Sequence, residues 1–163
     1  MPVDTKTVHK RPLRFNSLSD VLAEADRLAV AEQAGKLKQL GNWSIDQIFN
    51  HLATWANFPF DGYPPELSNP PWIIKLILKF KKKSFMQGKM PQGVRIPGIK
   101  AGTVGMDAIG TENALKKLRA ALTRLDETSP KRPNPIFGPM DHDDWKCINI
   151  RHAELHMGFL QPQ

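Results

Sequence analysis

Apolar residues recur along this chain every three to four positions, the period of helices that each bury one face. Leu18, Val21, Leu22, Ala25, Leu28 and Ala29 mark the first such run. Ser17 or Ser19 can cap it, which predicts a helix over 17–40 ended by Gly41. A second helix is predicted from Ser44. Ser44-Ile45-Asp46-Gln47 fits a capping box, and Ile45, Ile48, Leu52 and Trp55 form its stripe. Pro59, Gly62, Pro64 and Pro65 should stop it. The segment 59–110 is irregular, with one short amphipathic helix expected around 71–84 and a Pro- and Gly-rich loop after it. The fourth segment opens on Thr111 as cap, and Leu115, Leu118, Leu122 and Leu125 repeat at 3-4-3 spacing. The last helix is expected from Asp141, with Trp145, Ile148, His152, Leu155 and Phe159 as its stripe. No stretch alternates with the two-residue period of a strand. The pattern therefore predicts an all-α fold of four main helices packed as a bundle, with a long irregular insertion between helices 2 and 3. Residues 1–16 form a flexible N-terminal arm in this reading, and 17–163 a single domain.

Composition changes this picture little. The 163 residues are 40% hydrophobic and 24% charged, an ordinary globular balance. The single cysteine, Cys147, excludes an internal disulfide and a cysteine-rich zinc site, and fits a reducing compartment. The N-terminus lacks the apolar run of a secretory signal. The stretch Trp72–Phe80 is too short to span a bilayer and is interrupted by Lys75 and Lys79. A cytoplasmic location is the expectation.

Charge adds more. The net charge is +7, concentrated in the arm and in the segment 72–100, where Lys75, Lys79, Lys81, Lys82, Lys83, Lys89, Arg95 and Lys100 gather. Mixed apolar and cationic residues here suit an acidic membrane surface or nucleic acid phosphate. They equally suit a short helix covering one end of the bundle with its lysine heads in water, or a lid over a cleft.

The candidate chemistry lies in the histidines. His152 and His156 are four residues apart on one helix, so both imidazoles can reach one ion. His51, between Ile48 and Trp55, is the third candidate ligand from another helix. Core histidines bonded to carbonyls or carboxylates are the plainer explanation of the same pattern. His9 reads as a solvated bystander and His142 as a surface or capping residue. Three neutral nitrogens with an open position describe a catalytic rather than a structural metal site. No general base accompanies them. Ala153 follows His152, so the pattern is not H-E-x-x-H. Glu154 should point about 200° away into solvent, and Arg151 should lie on the flank. Cys147 should face away from the site. Trp55, Trp72 and Trp145 could line a pocket above it, although aromatics at this spacing more often pack in a core.

The pieces Gln47-Ile48-Phe49-Asn50-His51-Leu52-Ala53 and Asn149-Ile150-Arg151-His152-Ala153-Glu154-Leu155-His156 resemble the two histidine motifs of the DinB-like metalloprotein superfamily. Within it, the chain resembles the DUF1569 family of unknown function. Met90-Pro91-Gln92-Gly93-Val94-Arg95-Ile96-Pro97, Pro135-Ile136-Phe137-Gly138-Pro139-Met140 and Asp144-Trp145 carry further likeness. The resemblance implies an up-down-down-up bundle and a three-histidine site at His51, His152 and His156, usually holding zinc or nickel. Some relatives in that superfamily transfer low-molecular-weight thiols. Two functions follow as expectations. One is a metal-dependent hydrolase or thiol transferase acting on a small molecule, with dimerisation compatible. The other is a non-enzymatic module that binds nucleic acid or acidic membrane through 72–100.

Overall fold

The computed structural model describes residues 2–68, 72–96, 99 and 102–163. Pro97, Gly98 and Lys100 of the basic segment lie outside the described residues, as do the side chains of Trp72, Lys75 and Lys79. The fold is mostly helical. Its described elements, in chain order, are α1 (Leu18–Gln33), β1 (Leu37–Gln39), α2 (Ile45–Asp61), α3 (Pro65–Ser68), α4 (Trp72–Gln87), α5 (Thr111–Glu127), α6 (His142–Met157) and β2 (Leu160–Pro162).

Local chemistry explains each boundary. Ser17 and Asp20 form a reciprocal capping box at α1. That helix is shorter than its periodicity suggests, because Gly35 takes the left-handed conformation at φ +67°. The Lys36 amide then donates to the Ala31 carbonyl and the Gly35 amide to the Glu32 carbonyl, the Schellman pattern that satisfies a helix end. The freed residues 37–39 pair antiparallel with 160–162, so a small two-stranded sheet joins an otherwise α-helical fold. Ser44 and Gln47 form the expected box at α2. Pro59 lies inside α2 rather than ending it. Near the last turn its missing N–H costs one hydrogen bond, and the helix runs on to Asp61. Thr111 is the first residue of α5, not its cap. The Asp46 carboxylate instead accepts the Ile109 and Gly110 amides at 2.9 and 3.0 Å, a cap borrowed from α2. Asp141 caps α6 by accepting the Asp144 amide.

The core is continuous through α1, α2, α5 and α6. Val21, Leu28, Ile45, Ile48, Phe49, Leu118, Leu125 and Met157 are essentially sealed from water. Each such side chain contributes roughly 1.5–3 kcal/mol by burial. The broadest contact is α2 on α5, while α1 packs on α5 and α6, and α4 touches α6. No helix among the described residues is long and apolar enough to cross a membrane.

The face of α6 turned into this core carries Ile150, Ala153 and Met157. The stripe Trp145, Ile148, His152 and Leu155, with Phe159 just beyond the helix, borders a cavity, and Trp145 and Ile148 also pack on the core. A cavity wall and a core face are both apolar, so periodicity alone does not separate them. Beside the core face lie Arg151 and Glu154, both buried. They are neither flanking nor solvent-exposed, because they pair with each other and hold the chain that leads into α1. Arg151 Nη2 donates to the Phe15 carbonyl at 2.8 Å, and the Phe15 amide donates to Glu154 at 2.6 Å. Further along the segment 2–16, the Arg11 amide bonds the Gly158 carbonyl, and Val3 exchanges two hydrogen bonds with the Asn42 side chain.

Candidate metal centre

The polar side of α2 ties down the loop that precedes α5. Gln47 Nε2 donates to the Met106 carbonyl, Asn50 Nδ2 to the Asp107 carbonyl, and Asp46 accepts two amides as described. His51 belongs to the same row. Its Nδ1 lies 2.8 Å from the Val104 carbonyl oxygen. A carbonyl only accepts, so Nδ1 carries the proton and Nε2 keeps a free lone pair. That Nε2 lies 3.1 Å from His152 Nε2. Two nitrogens each about 2.05 Å from one ion would subtend about 98° at this separation, between octahedral and tetrahedral angles. His156 closes the group, its ring centroid 4.7 Å from those of both other histidines. One donor atom from each of His51, His152 and His156 lies within 4.8 Å of the others, so the cluster could hold a metal ion.

Electrostatics keep the donors neutral. Burial pushes His51 down from 6.5 to about 4, against an opposing effect of the Val104 hydrogen bond. His152 and His156 are held well below the usual range, first by burial and then by the neighbouring imidazoles. Neutral imidazoles are what a metal requires. His51 is sealed, whereas His152 and His156 are half-buried and open only on the cavity.

Aromatic rings frame the cluster. Trp43 stacks on His156 at 5.1 Å and 12°, and Trp55 meets His152 edge-on at 5.8 Å. Above them the cavity measures about 870 Å³. Trp43, Trp55, Phe85, Phe137 and Trp145 supply its walls, and residues 2–6 and the loop 90–96 its roof. Gln92 Nε2 fastens loop to arm by donating to the Lys6 and Val8 carbonyls. In the 134–138 turn, Asn134 Oδ1 accepts the Ile136 and Phe137 amides, which presents both side chains to the cavity. Asp4 is the one carboxylate among the described lining residues.

Of the residues singled out in the sequence, His51, His152 and His156 come together, and Trp55 and Trp145 line the cavity. Glu154 points away from the cluster as expected, but into protein rather than water. Cys147 also faces away, half-buried, with Sγ donating to the Met86 carbonyl. His142 sits at a helix start, its Nε2 2.6 Å from the Leu125 carbonyl. Trp43 and the Val104 carbonyl had no sequence signal. Trp43 precedes a cap, and a carbonyl is common to every residue.

The site thus defines a mostly helical protein with a buried three-histidine cluster beneath an aromatic cavity. The chain belongs to the DUF1569 family, proteins of unknown function, whose profile matches residues 7–163. Neither a curated protein nor a solved structure matches it.

Proposed function

We propose that this chain is a DinB-like metalloprotein that holds one divalent ion, zinc or nickel, on His51, His152 and His156 and acts on a small molecule in the cavity. Four helices, α1, α2, α5 and α6, share one core, which supports the up-down-down-up bundle of that superfamily as a single domain over 17–163. One observation carries the metal reading. The Val104 carbonyl sets the His51 tautomer so that its Nε2 lone pair meets the His152 ring nitrogen at 3.1 Å. A hydrogen bond between two imidazoles would not require the third, yet His156 brings its donor atom within 4.8 Å of both.

When bound, such an ion supplies Lewis acidity toward an oxygen or sulfur ligand at an open coordination position. The chain's own residues do the rest. His51 is oriented from behind by Val104, Trp43 holds the His156 ring in plane, and the aromatic walls exclude water from a seated substrate. Hydrolysis and thiol transfer both suit this arrangement. Thiol transfer asks less of the chain, since a thiol of lowered pKa needs no carboxylate base.

Elemental analysis of the purified protein tests the reading. About one divalent ion per chain is expected, falling several-fold in His51→Ala, His152→Ala and His156→Ala. Equal occupancy in all four proteins would remove it. The second reading, a binding module working from the cytoplasmic face of a membrane or on nucleic acid, draws support from α4. Phe80 is 82% exposed there beside exposed Lys81 and Lys83. It expects salt-sensitive binding to anionic vesicles or nucleic acid, lost when Lys81, Lys82 and Lys83 are neutralised.

A further inference from the structure

The cavity is apolar in its walls and cationic at its rim. Lys6, Lys81, Lys89 and Arg95 all line it, against one carboxylate, Asp4, among the described lining residues. Asp4 is already engaged, because its Oδ1 accepts the Lys6 amide at 3.0 Å. Other lysines nearby have partners. Lys82 pairs with Asp144 at 2.5 Å. Among the described residues, no carboxylate pairs with Lys6, Lys81 or Lys89.

Lys10 lies behind the same wall. Lys10 Nζ donates to the Leu155 carbonyl at 3.2 Å and lies 5.8 Å from the Phe159 ring centre. Leu155 and Phe159 both border the cavity. The walls set a second condition. A purely ionic ligand would leave Trp43, Trp55, Phe85 and Trp145 facing nothing apolar, whereas a flat organic body buries them.

We infer that the cavity takes a small organic anion, a flat apolar body bearing a sulfonate, carboxylate or phosphate group, with the anionic group at the Lys81–Lys89 rim and the apolar body reaching down to the histidines. This deepens the metal reading by naming its substrate class, and rests on that reading only for what happens at the buried end.

The test uses two fluorescent probes with the same aromatic body. One is 8-anilinonaphthalene-1-sulfonate, and the other is N-phenyl-1-naphthylamine, which lacks the sulfonate. The folded wild-type protein should bind the sulfonate at least tenfold tighter at low salt. The preference should shrink as salt screens the rim. Lys81→Gln/Lys89→Gln should reduce it to about twofold while leaving the neutral probe's affinity unchanged. Ile148→Trp, which fills the wall, should weaken both probes together and so places them in the cavity. Equal affinities of the two probes for wild type would overturn the inference. So would a preference untouched by the lysine changes. Metal content measured on the same samples separates the two ideas. Absent metal with an intact sulfonate preference sinks the metal reading alone, and bound metal with equal probe affinities sinks this one alone.

Discussion

Gly105→Ala should loosen metal binding without touching a ligand. Gly105 has φ +79°, and a Cβ built on it would meet Thr54 Cβ, Cγ2 and Oγ1 at 2.8, 2.9 and 3.0 Å. The left-handed conformation alone costs alanine about 1–2 kcal/mol. The contacts are more than half an ångström too short, so loop or threonine must move. Val104 is the neighbouring residue, and its carbonyl sets the proton on His51 at 2.8 Å. Losing an orienting partner of this kind costs roughly 10–100-fold in metal affinity, or about 1.4–2.7 kcal/mol. Gly35→Ala provides the control. It has a similar φ of +67° with nothing within 4 Å of the new Cβ, so it carries the strain without the clash. Competition titration against a chromophoric chelator measures affinity, and thermal unfolding in excess chelator measures stability. Both variants should lose stability, but only Gly105→Ala should lose affinity. Adding Thr54→Ala removes two of the three close atoms and should restore part of it. If Gly105→Ala binds metal as tightly as Gly35→Ala does, the Val104 carbonyl does not govern His51 and the reasoning fails.

Two further outcomes follow from buried charge. Glu154→Gln leaves the Arg151 guanidinium buried without its carboxylate and should cost about 3–5 kcal/mol of stability. Denaturant unfolding measures this, and a loss below 1 kcal/mol would contradict it. Stability of the metal-free protein should also fall as pH drops from about 6.5 to about 4. Across that window the unfolded chain protonates His51 while the folded chain, at about 4, resists. The ceiling from this one residue is roughly 3 kcal/mol. His51→Gln should flatten the slope by about 1.4 kcal/mol per pH unit, and an unchanged slope would assign the effect elsewhere.

How much of this was legible in the sequence depended on where each signal resides. Caps are written in side chains close in sequence, so Ser44 with Gln47 and the Asp141 cap could be read directly. The α5 cap could not, because it comes from Asp46, more than sixty residues earlier. Gly41 looked like the stop of α1, but Gly35 arrived first, and a glycine's φ is set by the residues it must turn between. The histidines were legible as candidates through the spacing of His152 and His156, and their meeting with His51 needed the tertiary arrangement. The stripe on α6 is legible as one face, but its double role is not: Trp145 and Ile148 pack on the core while the same face, with Leu155, walls a cavity. Arg151 and Glu154 looked like surface residues because their charges are normally solvated. What buries them is the Phe15 backbone, which no pattern within α6 announces.

That back-to-back arrangement on α6 has a consequence for specificity of fold. A helix is usually indexed about its own axis by a single apolar stripe, but α6 has two competing apolar faces, one toward the core and one toward the cavity. Hydrophobicity alone would leave its rotation nearly degenerate. The Arg151–Glu154 pair, tied to Phe15, breaks the degeneracy. A turn of about 100°, one residue's worth, would strand both charges against apolar neighbours. A buried polar contact here acts as a key that admits one orientation. The donor atoms of His152 and His156 are aimed from the far side of the helix.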